Sequence, residues 1–408
     1  MLVTFQKRAL ILALTACLLL LSACTSKPDH ETISSGVSTS SIISSSVTSS
    51  QSHIISQTPS SKAESLAQIE EEWGHTGNTP TEYEIYPGTR DPWLWPFSRD
   101  SIWNMPIGSD AEYVSANLQP SYFFGVDHER HIKLKASDPI REVRAPSQWN
   151  KRWPGTGLQR KMPVPDNLII PDAQGQSTPN ECSAFLMPDG RTIKQLEPTC
   201  RVEYGKHIVG YLYDDVDIYS QGIGGTHYGS GLSAIGGSIR KGELTSDEPI
   251  RHALKINVWG EKYLYYGTEA LGYRWPADRA DSYAPMTYGG SNPKLVMGSL
   301  LALPRNLKPS DLGIQTEPAK KIFYALQDYG AYISDDSAWD SYDIPAELGV
   351  TDEVKEKYGY SMTGSSGPFV SDMQKIIPKL MIIDNNAAGS VGGGGKPCRP
   401  LAPNLPKI

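Results

Sequence analysis

The sequence predicts a mainly β domain, an antiparallel β-sandwich or jelly-roll with one prominent helix. The chain has 408 residues with 31 prolines and 37 glycines, a content typical of turns and loops rather than of long helices. Short runs alternate between apolar and polar residues, as strands with one buried face do. Four runs support the prediction: IKLKA at 132–136, YLYDDVDIY at 211–219, HALKINVW at 252–259 and KYLYY at 262–266.

One segment, residues 316–329, breaks the β pattern because its apolar residues recur at helical spacing. Thr316 can cap its start and Gly330 can end it. We expect this helix to pack on a sheet and AYISDDS to follow as a strand. Small additional helices are predicted at 352–358 and 371–377, the second before a strand in KLMIID.

The chain begins with segments that carry no chemistry. Residues 1–23 predict a lipoprotein signal peptide, because an apolar core ends in LSAC, which resembles a lipobox with Cys24 as the lipidated residue. An ordinary signal peptide with a chance cysteine is the alternative. Residues 24–79 predict a disordered linker, since 17 of the 28 residues from Ser34 to Ser61 are Ser or Thr. The protein is therefore expected outside the cytoplasm, bound to the bacterial cell membrane through its lipid anchor only.

The rest of the chain divides into a β-rich functional domain, 80–386, and an irregular Gly/Pro-rich tail, 387–408. A net charge of −7 argues against a nucleic-acid partner. Cys182 and Cys200 flank a predicted hairpin with its turn at PDG, which predicts a disulfide between them. A cysteine nucleophile is the rival interpretation, and Cys398 is left over.

The familiar catalytic and metal motifs are absent from the sequence. There is no HExxH, no CxxC and no GxSxG, so we predict no metal and no cofactor. Calcium is the one exception left open, because Asp215-Val216-Asp217 resembles part of a calcium loop. His128 and His131 would make a poor metal pair on a strand, where residues three apart point to opposite faces.

Residues 222–259 hold the greatest concentration of polar groups in the chain. His227 lies in a glycine-dense loop, Arg240 and Glu243 lie in a turn, and His252 lies on a predicted strand. A buried histidine beside a cleft could act as an acid or base near neutral pH. The alternatives are a structural core role for His252 and a surface ion pair for Glu243.

Aromatic and charged residues nearby predict a sugar-binding surface, because sugar rings stack on aromatic rings while hydroxyl groups bond to carboxylates. The alternative is an ordinary solvated sheet face and a structural corner at Trp275. The predicted substrate-binding residues are Tyr213, Asp215, Asp217, Trp259, Trp275, Asp278 and Arg279.

Several segments together resemble a family of bacterial secreted proteins and lipoproteins. They are GSGLSAIGGSIRKGEL, IRHALK, YRWPAD, LQDYG, SDDSAW, KLMIID and GGGGKPCRPLAP. A wider group is similar in an IRHAL strand, a WPA turn, a helix that ends in YG and an aspartate in the next strand. The resemblance implies a shared fold and site but no reaction, and it ranks Arg240, Glu243, His252 and Asp335 above other polar residues.

These observations predict an enzyme that acts on polysaccharide or cell-wall glycan. A glycosidase would use two carboxylates, Glu243 and Asp335, with Asp278 in reserve. A lyase would use a base and a cation that neutralises a uronate. The candidate bases are His227, His252 and Tyr228, and the candidate cations are Arg240 and Arg279. The alternative is a non-catalytic glycan-binding lipoprotein that uses Trp259, Trp275 and the tyrosine face.

Overall fold

A computed structural model of the chain describes residues 83–147, 154–171 and 181–407. The predicted signal peptide, the lipidated Cys24 and the linker to residue 79 lie outside these ranges and stay predictions. Among the described residues, no helix combines the length and the apolar character that crossing a bilayer requires.

The described ranges form thirteen strands, most of them short. The strands are β1 (Tyr113–Ser115), β2 (Phe123–Lys133), β3 (Ile140–Pro146), β4 (Pro154–Pro163), β5 (Ser183–Leu186), β6 (Thr192–Cys200), β7 (Ile208–Leu212), β8 (Val216–Asp217), β9 (Leu254–Val258), β10 (Leu300–Ala302), β11 (Ala331–Asp336), β12 (Ser341–Glu347) and β13 (Met381–Ile383).

The described residues form fewer α-helices than strands, and these helices all follow β9 along the chain. The α-helices are α1 (Gly260–Tyr263), α2 (Ala284–Thr287), α3 (Glu317–Asp328), α4 (Val350–Tyr358) and α5 (Pro368–Ile376). Short 3-10 helices occupy Pro309–Leu312, Ile377–Lys379 and Val391–Gly393. The predicted prominent helix and both predicted small helices are therefore confirmed as α3, α4 and α5.

The strands make one mixed sheet in the order β1-β13-β10-β11-β9-β12-β2-β5-β6-β7-β3-β4, with β8 paired to β6. Four pairs are parallel: β9 with β11, β2 with β12, β2 with β5 and β3 with β7. The mainly β prediction is confirmed. The antiparallel sandwich or jelly-roll is not confirmed, because strands distant in sequence, such as β2 and β12, pair side by side in parallel.

Two predicted strands differ from the structure. KYLYY falls partly in α1, where a helical turn lets the chain leave the sheet directly after β9 and buries Tyr263 in the core. YLYDDVDIY splits into β7 and β8, which both pair with β6. Leu212 faces Leu196 and Val216 faces Ile193, so one extra residue bulges out between the two strands.

The predicted hairpin at 182–200 is confirmed by the antiparallel pairing of β5 with β6. Among the described residues no disulfide joins Cys182 to Cys200, and both side chains are buried. Ser183 faces Leu196, so the strand register carries Cys182 toward Glu197, about 10 Å from Cys200 at strand spacing. A disulfide requires Cα atoms roughly 4.4–6.8 Å apart, so the predicted bond is not supported.

The tail beyond residue 386 has little regular structure, as the sequence predicts, but it packs against an early part of the domain. Leu401 and Asn404 form β-bridges with Ile85 and Thr89. Cys398 is buried, and its backbone amide donates to Ile107.

The central strands β2, β9 and β12 give the sheet an apolar face and a polar face. Their side chains alternate, as the pleat of a strand requires. The apolar face packs with α3 and α5 in one core, which includes Phe124, Val126, Leu254, Ile256, Tyr342 and Ile344. The opposite face carries Asp127, Glu129, Lys255, Asn257, Asp343 and Glu347.

The polar face is buried because the glycine-rich segment 222–240 lies over it. Lys255 donates its backbone amide to Gly237, and Ile239 forms a parallel bridge with Ala346 of β12. The segment also packs on the indole of Trp103, which would lie 2.4 Å from a Cβ at Gly236. Glycine is therefore needed here for close packing.

Candidate functional site

His227 lies at the centre of a buried group that we call the His227 cluster: Asp127, Glu129, Glu197, His227, Lys255 and Asp335. The imidazole is fully buried and its Nε2 lies 2.7 Å from Oε1 of Glu129. Lys255 Nζ lies 3.0 Å from the same nitrogen, and we assign the proton to Nε2 because a carboxylate oxygen at 2.7 Å can only accept. The other nitrogen, Nδ1, faces Asp335 Oδ2 at 3.7 Å and the sulfur of Cys182 at 3.7 Å.

Glu129 holds the imidazole from β2, and two further donors hold Glu129. Lys255 Nζ donates to Oε1 at 2.5 Å, and the hydroxyl of Ser238 donates to Oε2. Burial alone would raise the pKa of Glu129, but Lys255 and His227 outweigh it and lower that pKa to about 2. Glu129 and Lys255 thus form a neutral pair that orients His227.

Two carboxylates lie near the second nitrogen of His227, Nδ1. Asp335 lies on β11 at a register irregularity after Ile333, which turns its side chain toward the loop. Glu197 comes from β6; its Oε2 accepts the backbone amide of Tyr228 at 2.7 Å, while Oε1 is buried without a hydrogen-bond partner. Burial, followed by the charge of Asp335, raises the pKa of Glu197.

The acidic surroundings act on His227 in turn. Burial and the charge of Lys255 lower its pKa, but the carboxylates of Asp335 and Glu129 outweigh them and raise it to about 9. At neutral pH these carboxylates therefore favour an imidazole that carries a proton on each nitrogen.

More carboxyl groups border the cluster. Asp127, mostly buried, accepts a hydrogen bond from Asn257 at 3.1 Å, and burial raises its pKa to about 7. Asp281 accepts the hydroxyl of Tyr288 at 2.6 Å, and burial, followed by the charge of Asp335, raises its pKa. Protonated and ionised carboxyls therefore coexist near neutral pH, as acid–base catalysis requires.

Two glycines let carboxylates approach the loop backbone. A Cβ at Gly229 would lie 2.6 Å from Asp335 Oδ1 and 3.0 Å from Asp281 Oδ2. Gly231 has a φ of +75°, and a Cβ there would lie 2.2 Å from Asp278 Oδ1. The turn that presents His227 therefore depends on glycine at these positions.

Aromatic and charged groups form the outer edge of the cluster. Tyr228 is 37% exposed, and the guanidinium of Arg279 lies 5.6 Å from the ring centre of Tyr213. Arg279 also pairs with Asp278 at 2.6 Å. Three predicted substrate-binding residues, Tyr213, Asp278 and Arg279, therefore lie beside the loop that carries His227.

The other candidates from the same stretch form a second group, the Arg240 cluster: Arg240, Glu243, His252 and Glu347. Arg240 is buried; its Nε lies 3.0 Å from Glu347, and its Nη1 donates to Trp93 O at 2.6 Å. Glu243 accepts the Arg240 amide and lies 3.0 Å from His252 Nε2. Burial opposes protonation of His252, but Glu243 outweighs it and raises that pKa.

The expected meeting of Glu243 with Asp335 is therefore wrong. Glu243 contacts Arg240 and His252, whereas Asp335 contacts His227 in the other cluster. Arg240 cannot neutralise a uronate either, because it is buried and already paired with Glu347. The structural alternative for His252 fits its buried contacts better than a catalytic role.

A neutral imidazole separates the two clusters. His131 Nε2 donates to Ala234 O at 2.9 Å, and burial followed by the charge of Arg240 lowers its pKa. Its ring nitrogens lie 3.9 Å from Glu129 and 3.8 Å from Glu347.

The remaining predicted binding residues lie in other surroundings. Asp215 pairs with Lys194 at 2.6 Å, and Asp217 pairs with Arg191, so ion pairs occupy the carboxylates proposed for calcium or sugar. Trp259 packs at the edge of the apolar core. Trp275 lines a separate open cavity of about 510 Å³ beside the tail.

Sequence reasoning missed Asp127, Glu129, Glu197 and Lys255 as site residues. A signal existed, because Asp127, Glu129 and His131 alternate along one strand face, as Lys255 and Asn257 do along another. Alternation alone cannot distinguish a solvated face from one that is covered by a loop.

The cluster contains groups that could hold a metal ion. Glu197, His227 and Asp335 each offer a ligand atom, and these atoms all lie within 4.8 Å of one another. Glu129, Cys182 and His227 form a second such set. Comparison of the chain with family models, with curated proteins and with solved structures gives no match.

Proposed function

We propose that the protein is a lipid-anchored, extracytoplasmic enzyme that hydrolyses a neutral polysaccharide at the His227 cluster. The observation that carries the proposal is the convergence of Asp127, Glu197 and Asp335 around one imidazole, under an edge that holds Tyr213 and Tyr228. The anchor and the location rest on the N-terminal sequence.

Hydrolysis of a glycosidic bond needs a proton donor for the leaving oxygen and a polar centre that positions water. Asp127 suits the first role, because its pKa of about 7 leaves a large protonated fraction at neutral pH. Glu197, His227 and Asp335 suit the second role, because their polar atoms point to one place.

The charge of the site favours hydrolysis over elimination from a uronate. Asp281, Asp336 and Asp343 add to the three carboxyls of the cluster other than Glu129, and Lys255 is already paired with Glu129. A uronate would therefore meet carboxyl groups here, and those that are ionised would repel it. Arg279, the remaining cation predicted to bind a uronate, is paired with Asp278.

The outer edge favours a sugar ring. Tyr213 and Tyr228 offer aromatic surface with a polar tip, and Arg279 with Asp278 offers donors and acceptors for hydroxyl groups. A mixture of aromatic and polar groups around an acidic centre suits a neutral carbohydrate better than an apolar ligand.

The purified full chain should be incubated with a panel of neutral and acidic polysaccharides. We expect new reducing ends from a neutral glycan without absorbance from unsaturated products. Asp127→Asn should reduce the rate by about 10²- to 10⁴-fold, because the proton donor is lost. The matched control is Asp214→Asn at an exposed aspartate, which should keep full activity.

Unsaturated products would contradict hydrolysis and favour a lyase. Retention on a glycan in affinity electrophoresis without any product would contradict the enzyme and favour the glycan-binding alternative. A folded Asp127→Asn variant with full activity would remove Asp127 from the mechanism.

A further inference from the structure

We propose that Glu197, His227 and Asp335 bind a divalent transition-metal ion, with Zn²⁺ as the best fit, through Oε1, Nδ1 and Oδ2. This metal site does not depend on the polysaccharide proposal, because its ligand set rests on the positions of the protein atoms alone.

The hydrogen bonds of His227 fix the orientation of its ring. Its Nε2 donates to Glu129, which Lys255 and Ser238 hold in place. Metal-binding histidines commonly donate their second nitrogen to a carboxylate in this way, which fixes the ring and leaves the other nitrogen for the ion. Every member of this support is buried, so Nδ1 has a defined direction, and an ion that binds there would displace the proton from this nitrogen.

The proposed ligand atoms of His227 and Asp335 lie at a spacing close to that around a zinc ion. Nδ1 lies 3.7 Å from Asp335 Oδ2, which is too long for a good hydrogen bond. Two ligands of a tetrahedral zinc ion with bonds of about 2.0–2.1 Å lie roughly 3.4 Å apart, so a shift of a few tenths of an ångström would suffice. One ligand atom each from Glu197, His227 and Asp335 lies within 4.8 Å of the other two.

Glu197 gives independent support for a cation at this place. Its side chain is completely buried, and Oε1 has no hydrogen-bond partner while Oε2 accepts the amide of Tyr228. The thiol of Cys182 lies beside this carboxyl and acts only as a weak donor. A buried carboxylate oxygen without a partner is unfavourable, and a cation at this point would give it one.

The charge of the ligand carboxylates also favours a divalent ion. Lys255 already neutralises Glu129, so a divalent ion would balance the two remaining ligand carboxylates, Glu197 and Asp335. The alternative set with Glu129 and Cys182 is less suitable, because both oxygens of Glu129 already accept hydrogen bonds. The imidazole nitrogen favours Zn²⁺ over Ca²⁺, which takes oxygen ligands.

Titration calorimetry with zinc chloride on the chelator-treated full chain tests the site. We expect saturable binding of one ion per chain, and Co²⁺ should give the visible absorption of a tetrahedral site. Glu197→Gln should weaken zinc binding at least about 100-fold, and Glu129→Gln about 10- to 100-fold through loss of orientation. Glu203→Gln, at an exposed glutamate, is the control and should bind as the wild type does.

Glu197→Gln keeps the size of the side chain and can still accept the Tyr228 amide, so it should fold, which circular dichroism checks. Absence of saturable zinc binding by the folded wild type would overturn the proposal. So would unchanged binding in Glu197→Gln, or binding that Cys182→Ser abolishes while Glu197→Gln does not. Equal affinity for Ca²⁺ would overturn the transition-metal assignment. None of these results depends on enzymatic activity.

Discussion

The His227 cluster and the Arg240 cluster both draw residues from the stretch 222–259, but their charges are balanced differently. In the Arg240 cluster each charge meets an opposite one: Arg240 meets Glu347, and Glu243 meets His252. In the His227 cluster one pair, Lys255 with Glu129, is balanced and the other carboxyls outnumber their single imidazole.

This difference in charge pairing indicates a structural role for the Arg240 cluster and makes the His227 cluster the candidate site. A fully paired buried network fixes a segment in place, whereas buried carboxyls that outnumber the nearby positive charges are unfavourable in the folded protein unless a ligand or reaction uses them. Density of polar residues in the sequence therefore does not identify the site. The unpartnered Oε1 of Glu197 is a better marker than the well-paired Glu243.

The largest expected effect on stability comes from removal of Arg240. Arg240→Met leaves Glu347 without its partner and removes the bond to Trp93 O, so it should lower the free energy of unfolding by about 3–5 kcal/mol. In the presence of chelator, Glu197→Gln should cause no loss or a gain, because it removes a buried carboxyl with an unpartnered oxygen. Urea unfolding of both variants measures the contrast.

Arg160→Met, at an exposed arginine, is the control and should change the free energy of unfolding by no more than about 0.5 kcal/mol. Equal losses in Arg240→Met and Glu197→Gln would contradict the division into a structural cluster and a candidate site.

A second prediction concerns the close approach at Gly229. The Cβ of Gly229→Ala would lie 2.6 Å from Asp335 Oδ1, so the carboxylate must move. A displacement of about 1 Å in a site can reduce a rate about 100-fold, and we expect a loss of that order in polysaccharide hydrolysis with little change in unfolding. Gly389→Ala, where a Cβ meets nothing within 4 Å, is the control.

A stable Gly229→Ala variant with full activity would show that Asp335 need not occupy its present position. Zinc binding by the same variant would then distinguish two cases. Weaker binding would mean that the Asp335 carboxylate had moved, and unchanged binding would mean that the loop had moved instead.

Much of the fold and part of the site could be predicted from the sequence. The periodicity of 316–329 gives α3, and the turn at PDG gives the β5–β6 hairpin. His227 and Asp335 were both predicted as site residues, and the structure brings them together. Local patterns suffice for these features because neighbouring residues determine them.

The rest depends on contacts between distant parts of the chain. Glu129 and Lys255 are separated by 126 positions and Glu197 and Tyr228 by 31, so no local pattern joins them. Alternation in β2 and β9 shows that each strand has two faces, but the loop at 222–240 decides that the polar face is buried. Parallel pairing of β2 with β12 is likewise invisible to local turn signals.

The smallest predicted effect concerns pH and the partner of Arg240. Burial would raise the pKa of Glu347, but His131 and Arg240 outweigh it and hold that pKa well below its usual range. A depressed carboxyl pKa stabilises the folded state fully above the unfolded value of about 4.3, and this contribution is lost progressively as the pH falls from there through the lowered folded-state pKa. Glu347→Gln should therefore be less stable than the wild type by about 1 kcal/mol at neutral pH, since the side chain is partly exposed.

This difference should shrink as the pH falls through the acid range, because the wild type alone must take up a proton at position 347. Urea unfolding at neutral and acid pH measures it, with Glu356→Gln at an exposed glutamate as the control. A difference that stays constant with pH would mean that Glu347 acts through packing rather than through its charge. The Arg240 cluster would then stabilise the loop without the ion pair that distinguishes it from the His227 cluster.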